Sequence, residues 1–426
     1  MIREAEYANR RQRFADSLDA NSVALLFSAE KKIRSHDTEY PYRQESNFYY
    51  LCGFKEDSAA LLFVKKKRKT KCYLFVHKKD PKEELWNGER LGVEAAKKHF
   101  CVDNVFLYDA LSKRVSSACR AAKVLYYDFG LAYTKVKLLK RYAKGVATLK
   151  DLAPMVQRMR LIKSQSEIAL IKKALSITKE AHHRVMQNIQ NMEYEYEVAA
   201  ELAYVFAKRG AQSDAYTSIV ASANHANTLH YIKNDAPLQR DALLLIDAGC
   251  EYDYYASDIT RTIAASASFT KAQRSVYEAV LAVEKEIITL IRPNVLRSDL
   301  QKRAERRLCE AMVDLGILKG SVTKLLKKGA HKRYFPHGIG HWMGIDVHDP
   351  APYRDEDGKE IPLAAGMVLT IEPGIYIDKD DKSVPKRYRG IGVRIEDDIL
   401  VTEDGYENLS GDIVKEIADI TALSLC

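Results

Sequence analysis

Features that direct a chain into a membrane or out of the cell are missing from these 426 residues. No apolar run approaches the roughly 20 residues that a membrane-spanning helix requires. The N-terminal segment MIREAEYANRRQRF carries charges where a signal peptide would have a hydrophobic region. The seven cysteines have no paired spacing, which indicates free thiols in a reducing compartment. We therefore expect a cytoplasmic protein that does not contact a membrane.

Signatures of nucleic-acid binding are also missing, although the formal net charge is +9. The sequence contains no helix-turn-helix, zinc-finger or RNA-binding motif. Its densest basic run, residues 65–71 (KKKRKTK), lies between two apolar stretches. That arrangement is typical of the solvated tip of a hairpin, so we expect no nucleic-acid partner.

The composition, 46% hydrophobic and 29% charged, is that of a globular chain long enough for two domains. Alternating apolar and helical segments predict an α/β domain at residues 1–158. Strands are expected at 23–28, 47–51, 59–64, 72–77 and 123–129, and helices at 93–99 and 135–143. Residues 159–426 predict an α+β domain, in which helices cover one face of a curved antiparallel sheet.

Helix boundaries in the second domain are marked by capping patterns. Ser164 with Glu167 predicts the start of a long helix, and Thr270 with Gln273 predicts another that reaches about residue 291. By the same pattern, Ser298 with Gln301 predicts a helix that continues to about residue 315. A further helix, at about 195–209, is expected to stop at Gly210, and a strand is expected at 216–221.

Two aspartates flank a predicted strand pair in LLLIDAGCEYDYYASDITRT, residues 243–262. Asp247 ends an apolar strand, and Asp258 follows after a segment in which residues 249–254 are expected to hold a hairpin turn. Either acid alone is more often structural than functional. Two acids in one apolar strand pair would repel each other and lose hydration, unless a cation lies between them.

Downstream segments carry further histidines and acids in apolar surroundings. Residues 336–350 (PHGIGHWMGIDVHDP) hold three histidines among glycines that argue against a helix. The strand-like segments 367–377 (MVLTIEPGIYI) and 389–399 (RGIGVRIEDDI) carry Glu372 and Glu396. Two Asp, two Glu and one His make an oxygen-rich set of ligands. Such a set suits a pair of divalent ions, with Mn favoured over a single structural Zn.

The order of these motifs resembles the metallopeptidases of the pita-bread fold, and within them the bacterial aminopeptidase P (Xaa-Pro aminopeptidase) family. The resemblance extends through residues 35–54 (SHDTEYPYRQESNFYYLCGF) and so covers nearly the whole chain. It implies a C-terminal pita-bread catalytic domain after the α/β domain. It also implies a cofactor of two divalent ions, bridged by Asp258 and Glu396. The five implied metal ligands are Asp247, Asp258, His341, Glu372 and Glu396.

The same resemblance implies catalytic roles at four positions. His230, His337 and His348 match the family's active-site histidines. Glu372 is expected to transfer protons as well as bind metal. His230 and His348 are expected to stabilise the tetrahedral intermediate.

Four further positions each allow two interpretations. Arg394 lies two residues before Glu396, so on a strand both side chains point to the same face. Arg394 either orients an acidic ligand in the catalytic site or forms an ordinary buried ion pair. Tyr216 and Tyr376 are either substrate-binding hydroxyls or core residues. Trp86, expected in a loop, is either a packing residue or, as in aminopeptidase P relatives, part of a neighbouring subunit's active site.

The resemblance implies a metalloaminopeptidase that releases the N-terminal residue of peptides with proline in second position, through a hydroxide shared by the two ions. A homo-oligomer, dimer or tetramer, is expected. The alternatives are a prolidase acting on Xaa-Pro dipeptides and a non-catalytic RNA- or protein-binding protein on the same scaffold. One departure is SANHAN at residues 222–227, where bacterial relatives usually carry a glycine-rich loop; its additional His225 is expected to be incidental.

Overall fold

The structure, a computed structural model, describes residues 2–131 and 133–425, and the chain divides into two compact units, residues 1–160 and 161–426. Each unit has its own hydrophobic core. Within the described ranges, no helix is both long and apolar enough to cross a bilayer. The six cysteines in those ranges are free thiols, as expected, and Cys426 lies outside them.

The N-terminal unit is built on a six-stranded mixed sheet. Its strands, in spatial order, are β6 (Asn104–Leu107), β5 (Lys69–Val76), β4 (Ala60–Lys66), β1 (Ser22–Phe27), β7 (Val124–Tyr127) and β8 (Thr148–Asp151). The pairs β1–β4 and β4–β5 are antiparallel and the others are parallel. A separate ribbon joins β2 (Ile33–Ser35) to β3 (Thr38–Glu39). The helices are α1 (Glu4–Ser17), α2 (Ser46–Cys52), α3 (Pro81–Asn87), α4 (Gly92–His99), α5 (Leu111–Cys119), α6 (Tyr133–Tyr142) and α7 (Ala153–Arg160).

Two local predictions for this unit are wrong. Residues 47–51, predicted as a strand, belong to helix α2, because the Glu45 carboxylate caps the amides of Asn47 and Phe48 at 3.0 and 2.6 Å. Every residue of α2 is buried, so the sequence shows no helical periodicity. Trp86, expected in a loop, lies in α3, which Asp80 caps and which has proline at its first turn.

The C-terminal unit contains antiparallel sheets of two and three strands. One joins β10 (Ile219–Ser222), β11 (Leu243–Asp247) and β14 (Thr260–Ala264), and another joins β9 (Ser213–Asp214), β12 (Cys250–Tyr252) and β13 (Tyr255–Ala256). The others join β15 (Val368–Ile371), β18 (Asp397–Val401) and β19 (Tyr406–Asn408), and β16 (Gly374–Tyr376) with β17 (Gly392–Arg394). The helices are α8 (Gln165–Asn188), α9 (Glu195–Lys208), α10 (Lys271–Thr289), α11 (Arg297–Asp314), α12 (Val322–Lys327) and α13 (Ile417–Ser424).

The capping predictions for this unit hold at two helices and fail at a third. Capping boxes start α8 at Ser164 and α10 at Thr270. Ser298, however, lies inside α11, and Leu296 precedes that helix without a side-chain cap. The amide of Ser298 donates instead to Glu360 Oε1 at 2.8 Å. A partner 62 residues away therefore replaces the local cap.

Strand β11 has one face packed against the helices and one face turned away from them. Leu244 and Ile246 pack into the large core shared with the helices, whereas Leu245 belongs to a smaller cluster with Ile219. Because side chains alternate along a strand, Asp247 points to the same face as Leu245. The first predicted ligand thus lies on the face away from the helical layer.

Candidate active site and metal centre

Asp247 and Asp258 are brought together by a folded-back strand pair. Strand β11 pairs with β14, with Asp247 opposite Thr260, and the β12–β13 hairpin lies between them. Asp253 and Tyr254 turn the hairpin at φ values of 46° and 72°, as a primed two-residue turn requires. The predicted hairpin is confirmed, with its turn at the end of the expected segment.

The other three predicted ligands meet along β15. Ile371 pairs with Asp397, so Glu372 and Glu396 occupy adjacent positions just beyond that pair. The segment that carries His341 runs beside β15, with the Glu372 amide donating to Ile339 O at 2.8 Å. Only glycine fits at Gly340, since a Cβ there would lie 1.8 Å from a backbone oxygen of β15.

The ligand atoms of these residues form overlapping groups whose members all lie within 4.8 Å of one another. These groups are Asp247–Asp258–Glu396, His341–Glu372–Glu396 and Asp258–His341–His348. Glu396 belongs to two of them, and so does Asp258. Two neighbouring groups that share a carboxylate are the arrangement that two adjacent cations require.

The electrostatics of this cluster favour a bound cation. Burial raises the pKa of Glu372 to about 7 and that of Glu396 well above its ordinary value. Burial also raises the pKa of Asp247, although the charge of Arg394 opposes the rise. Negative charge is therefore in excess, and divalent ions would remove the cost of keeping these carboxylates ionised. The residues present fit such ions.

Arg394 and Tyr216 hold the carboxylates in place. Arg394 Nη2 donates to Asp247 Oδ2 at 2.6 Å, and its Nη1 donates to the Tyr376 hydroxyl at 3.1 Å. The Tyr216 hydroxyl lies 2.5 Å from both Asp247 Oδ1 and Asp258 Oδ1. Both interpretations of Arg394 therefore describe one contact, a buried ion pair that orients a candidate ligand.

The histidines differ in their surroundings. Burial lowers the pKa of His341, but the hydrogen bond and charge of Asp258 outweigh it and raise that pKa to about 9. Burial, aided by the charge of Arg394, lowers the pKa of His337 to about 4, so this ring is neutral. His348 stands edge-on to His341 with ring centroids 4.2 Å apart. His348 and His230 are both exposed at the cavity wall.

A cavity of about 530 Å³ unites these groups. All five candidate ligands line it, together with Tyr216, Arg394 and the three other predicted histidines. Tyr376 is buried behind the wall, where its hydroxyl contacts His337 Nε2 at 2.8 Å. Trp86 belongs to the other unit, and its side chain is 86% exposed.

Two residues that no sequence motif indicated form hydrogen bonds with the candidate ligands. Thr260 Oγ1 donates to Glu396 Oε2 at 2.8 Å and accepts from Arg394 Nε at 3.1 Å. Asp398 Oδ2 accepts the amide of Asp258 at 3.0 Å. Thr260 had a usable signal, because it lies two residues after Asp258 and alternation favours the same face. Asp398 had the same kind of signal, because it lies two residues after Glu396, but its bonding partner, 140 residues away, could not be read from the sequence.

A third missed residue, Glu195, fixes the loop that carries His230. It is the first residue of α9, is fully buried, and accepts four hydrogen bonds from residues 222–236. The donors are the Ser222 amide (2.8 Å), the Ala236 amide (3.1 Å), the Tyr231 hydroxyl (2.8 Å) and His225 Nδ1 (2.9 Å). The His225 ring also stacks on Tyr231, with centroids 4.4 Å apart. His225 therefore has a structural contact in this loop, and its expected lack of a role in the active site stays a prediction.

We expect Glu195→Gln to lower kcat/KM by about 10- to 100-fold without loss of bound metal. The glutamine amide turns a donor toward groups that already donate, so the loop loses contacts and His230 loses its fixed position. Kinetics together with metal analysis would test this, with the exposed Glu193→Gln as the matched control. Unchanged kinetics, or a loss of activity that follows a loss of metal, would contradict it.

Comparisons with known proteins agree on one family. The model of metallopeptidase family M24 matches residues 169–403, and the model of the aminopeptidase P N-terminal domain matches residues 7–126. An Xaa-Pro aminopeptidase of Haemophilus influenzae is 40% identical over 418 residues, covering 98% of this chain and 96% of that protein. The structure of proline aminopeptidase P II from Yersinia pestis superposes with a TM-score of 0.95 at 39% identity, covering 100% of both chains. Aminopeptidase P from Escherichia coli, solved with the inhibitor Pro-Leu, gives 0.96 at 38% identity, covering 100% of this chain and 98% of that one.

Proposed function

Because this chain belongs to metallopeptidase family M24, we propose that it is an Xaa-Pro aminopeptidase, releasing the N-terminal residue of peptides whose second residue is proline. The observation that carries the proposal is the pair of ligand groups sharing Glu396 in a cavity of about 530 Å³. Two of the relatives that match across nearly the whole chain bear that name.

We infer that two divalent ions occupy the site, with Mn²⁺ suited to four carboxylates and one imidazole. The proposed ligands are Asp247, Asp258, His341, Glu372 and Glu396. Bound there, the ions would supply Lewis acidity that activates water and polarises the scissile carbonyl. Arg394 and Thr260 would hold the ligands in their orientations through the contacts described above.

Side chains of the protein itself would position the substrate and transfer protons. We place the substrate's α-amino group on the Asp247 side, toward the ion that this residue would hold. Glu372, a partly buried carboxylate that lines the cavity, would accept a proton from water and return it to the leaving prolyl nitrogen. His230 and His348 would donate hydrogen bonds to the oxygen of the tetrahedral intermediate. Neutral His337, held by Tyr376, would line the substrate's path.

Metal reconstitution tests the proposal. Protein stripped with a chelator and reloaded separately with Mn, Co, Zn or Fe would be assayed for release of glycine from Gly-Pro-Leu. We expect two ions per chain and the highest activity with Mn. A chain that binds metal and leaves the peptide intact would contradict the peptidase proposal, whereas higher activity with another metal would contradict only the choice of Mn.

We further propose a cytoplasmic homo-oligomer in which Trp86 completes a neighbouring active site. The support is the exposure of its large apolar side chain, at 86%, beside Leu85 at 82%. An exposed pair of this kind is typical of an interaction site. The six described cysteines, all free, support a reducing compartment.

If Trp86 acts in this way, Trp86→Ala should lower kcat/KM by about 10-fold with its metal content unchanged. Ile33→Ala, at another exposed apolar side chain of the same unit, serves as the control and should leave kcat/KM unchanged. The measurements are kinetics on Gly-Pro-Leu and sedimentation of each variant. A fully active monomer would refute the role in a neighbouring subunit.

A further inference from the structure

The two units differ in the sign of their charge. Residues 1–160 contain 33 Lys and Arg against 19 Asp and Glu, whereas residues 161–426 contain 34 against 39. The whole positive excess of the chain therefore lies in the unit that carries none of the candidate metal ligands. Net charge concentrated in one unit indicates a partner of opposite charge for that unit.

Much of this charge surrounds a groove of about 790 Å³ between the β4–β5 hairpin and α5. Alternation places Leu62, Val64 and Lys66 on one face of β4, and the strand register sets Tyr73, Lys71 and Lys69 opposite them. The floor is therefore mainly aliphatic near the core and basic toward the hairpin tip. The basic groove is defined by floor residues Leu62, Val64, Tyr73, Ala118 and Ala121 and by rim residues Lys66, Lys69, Lys71, Lys113 and Arg114.

The rim cations have no counter-charge in the described part of the chain. All five are exposed and form no ion pair there, and no acid lines the groove. Lys65, which points to the other face, is by contrast satisfied by the carbonyls of Ala15 and Asp16 at 2.9 and 3.0 Å. Five like charges around one groove repel one another, and an anionic occupant would relieve that repulsion.

We propose that the basic groove binds an acidic polypeptide segment whose glutamates or aspartates alternate with aliphatic side chains. The aliphatic side chains would cover the floor, and the carboxylates would meet the rim. A nucleic acid fits less well, because Tyr73 is the only aromatic residue among the described residues that line the groove, and it packs on Phe106 with ring centroids 5.7 Å apart. Bases would lack the exposed aromatic platforms on which they usually stack.

A fluorescent peptide of alternating Glu and Leu, acetylated and amidated, tests the proposal on the full-length protein. The acetyl group removes the free α-amino group, so the probe does not enter the peptidase site as a substrate. We expect saturable binding that weakens with added salt, and no binding of the same peptide with Gln in place of Glu. Lys71→Glu with Lys113→Glu should raise the Kd at least tenfold, because the rim then repels the probe.

The matched control is Lys324→Glu with Lys327→Glu, the same change at two exposed lysines of the other unit. This variant should keep its Kd within about twofold, and both variants should hydrolyse Gly-Pro-Leu at the wild-type rate, which shows that they are folded. Equal loss in both variants, equal binding of the Gln peptide, or no binding by the wild type would overturn the proposal. Tighter binding of polyuridylate than of the Glu-Leu peptide would overturn it in favour of a nucleic acid.

Discussion

Asp258→Asn, or Glu396→Gln, is expected to reduce peptide hydrolysis at least about a thousandfold while the chain stays folded. Each carboxylate belongs to two of the three ligand groups, so its neutralisation weakens the binding of both proposed ions. Without them, the pKa of the attacking water is no longer lowered toward neutrality. Folding should survive, since burial and neighbouring acids already raise the pKa of Glu396 and neutralising it relieves repulsion.

The experiment compares metal content, hydrolysis of Gly-Pro-Leu and thermal melting in the two variants. Glu403→Gln, which neutralises an exposed acid outside the cavity, controls for the change in net charge. It should match the wild type in all three measurements. Near-wild-type turnover with two bound metals in either site variant would refute the ligand assignment.

The second large effect concerns peptide length: Gly-Pro-Leu should be cleaved at least about 100-fold better than Gly-Pro, measured as kcat/KM. A dipeptide places its carboxylate beside the proline, where a prolidase needs a cation to hold it. Arg394 is the only Lys or Arg among the residues that line the cavity in the described chain. It is already committed to Asp247, Tyr376 and Thr260.

The amide Gly-Pro-NH2 separates charge from length. If the unpaired carboxylate causes the penalty, the amide should be cleaved better than Gly-Pro, although it is no longer than the dipeptide. Acetylated Gly-Pro-Leu should resist cleavage, because it lacks the α-amino group. Preference for Gly-Pro over Gly-Pro-Leu would make the protein a prolidase and contradict the proposed specificity.

Physical chemistry explains which local predictions failed. At residues 47–51, burial on all sides removed the periodicity that distinguishes a helix from a strand, and the decisive cap came from Glu45. At Ser298, the capping pattern was present, but a glutamate 62 residues away bonded the amide instead. In both cases, the local sequence pattern did not indicate the contact that decided the local structure.

The sequence by itself determined which segments carry the chemistry: a hairpin flanked by Asp247 and Asp258, and strand-like segments ending in Glu372 and Glu396. These signals are local, because a strand, a turn and an acid at its end are written within a few residues. Only the tertiary structure decided that Arg394 pairs with Asp247, 147 residues away, that Glu195 holds the loop of His230, and that basic side chains of β4, β5 and α5 share one groove. Such contacts depend on how the chain folds back on itself, and no short window of sequence records that.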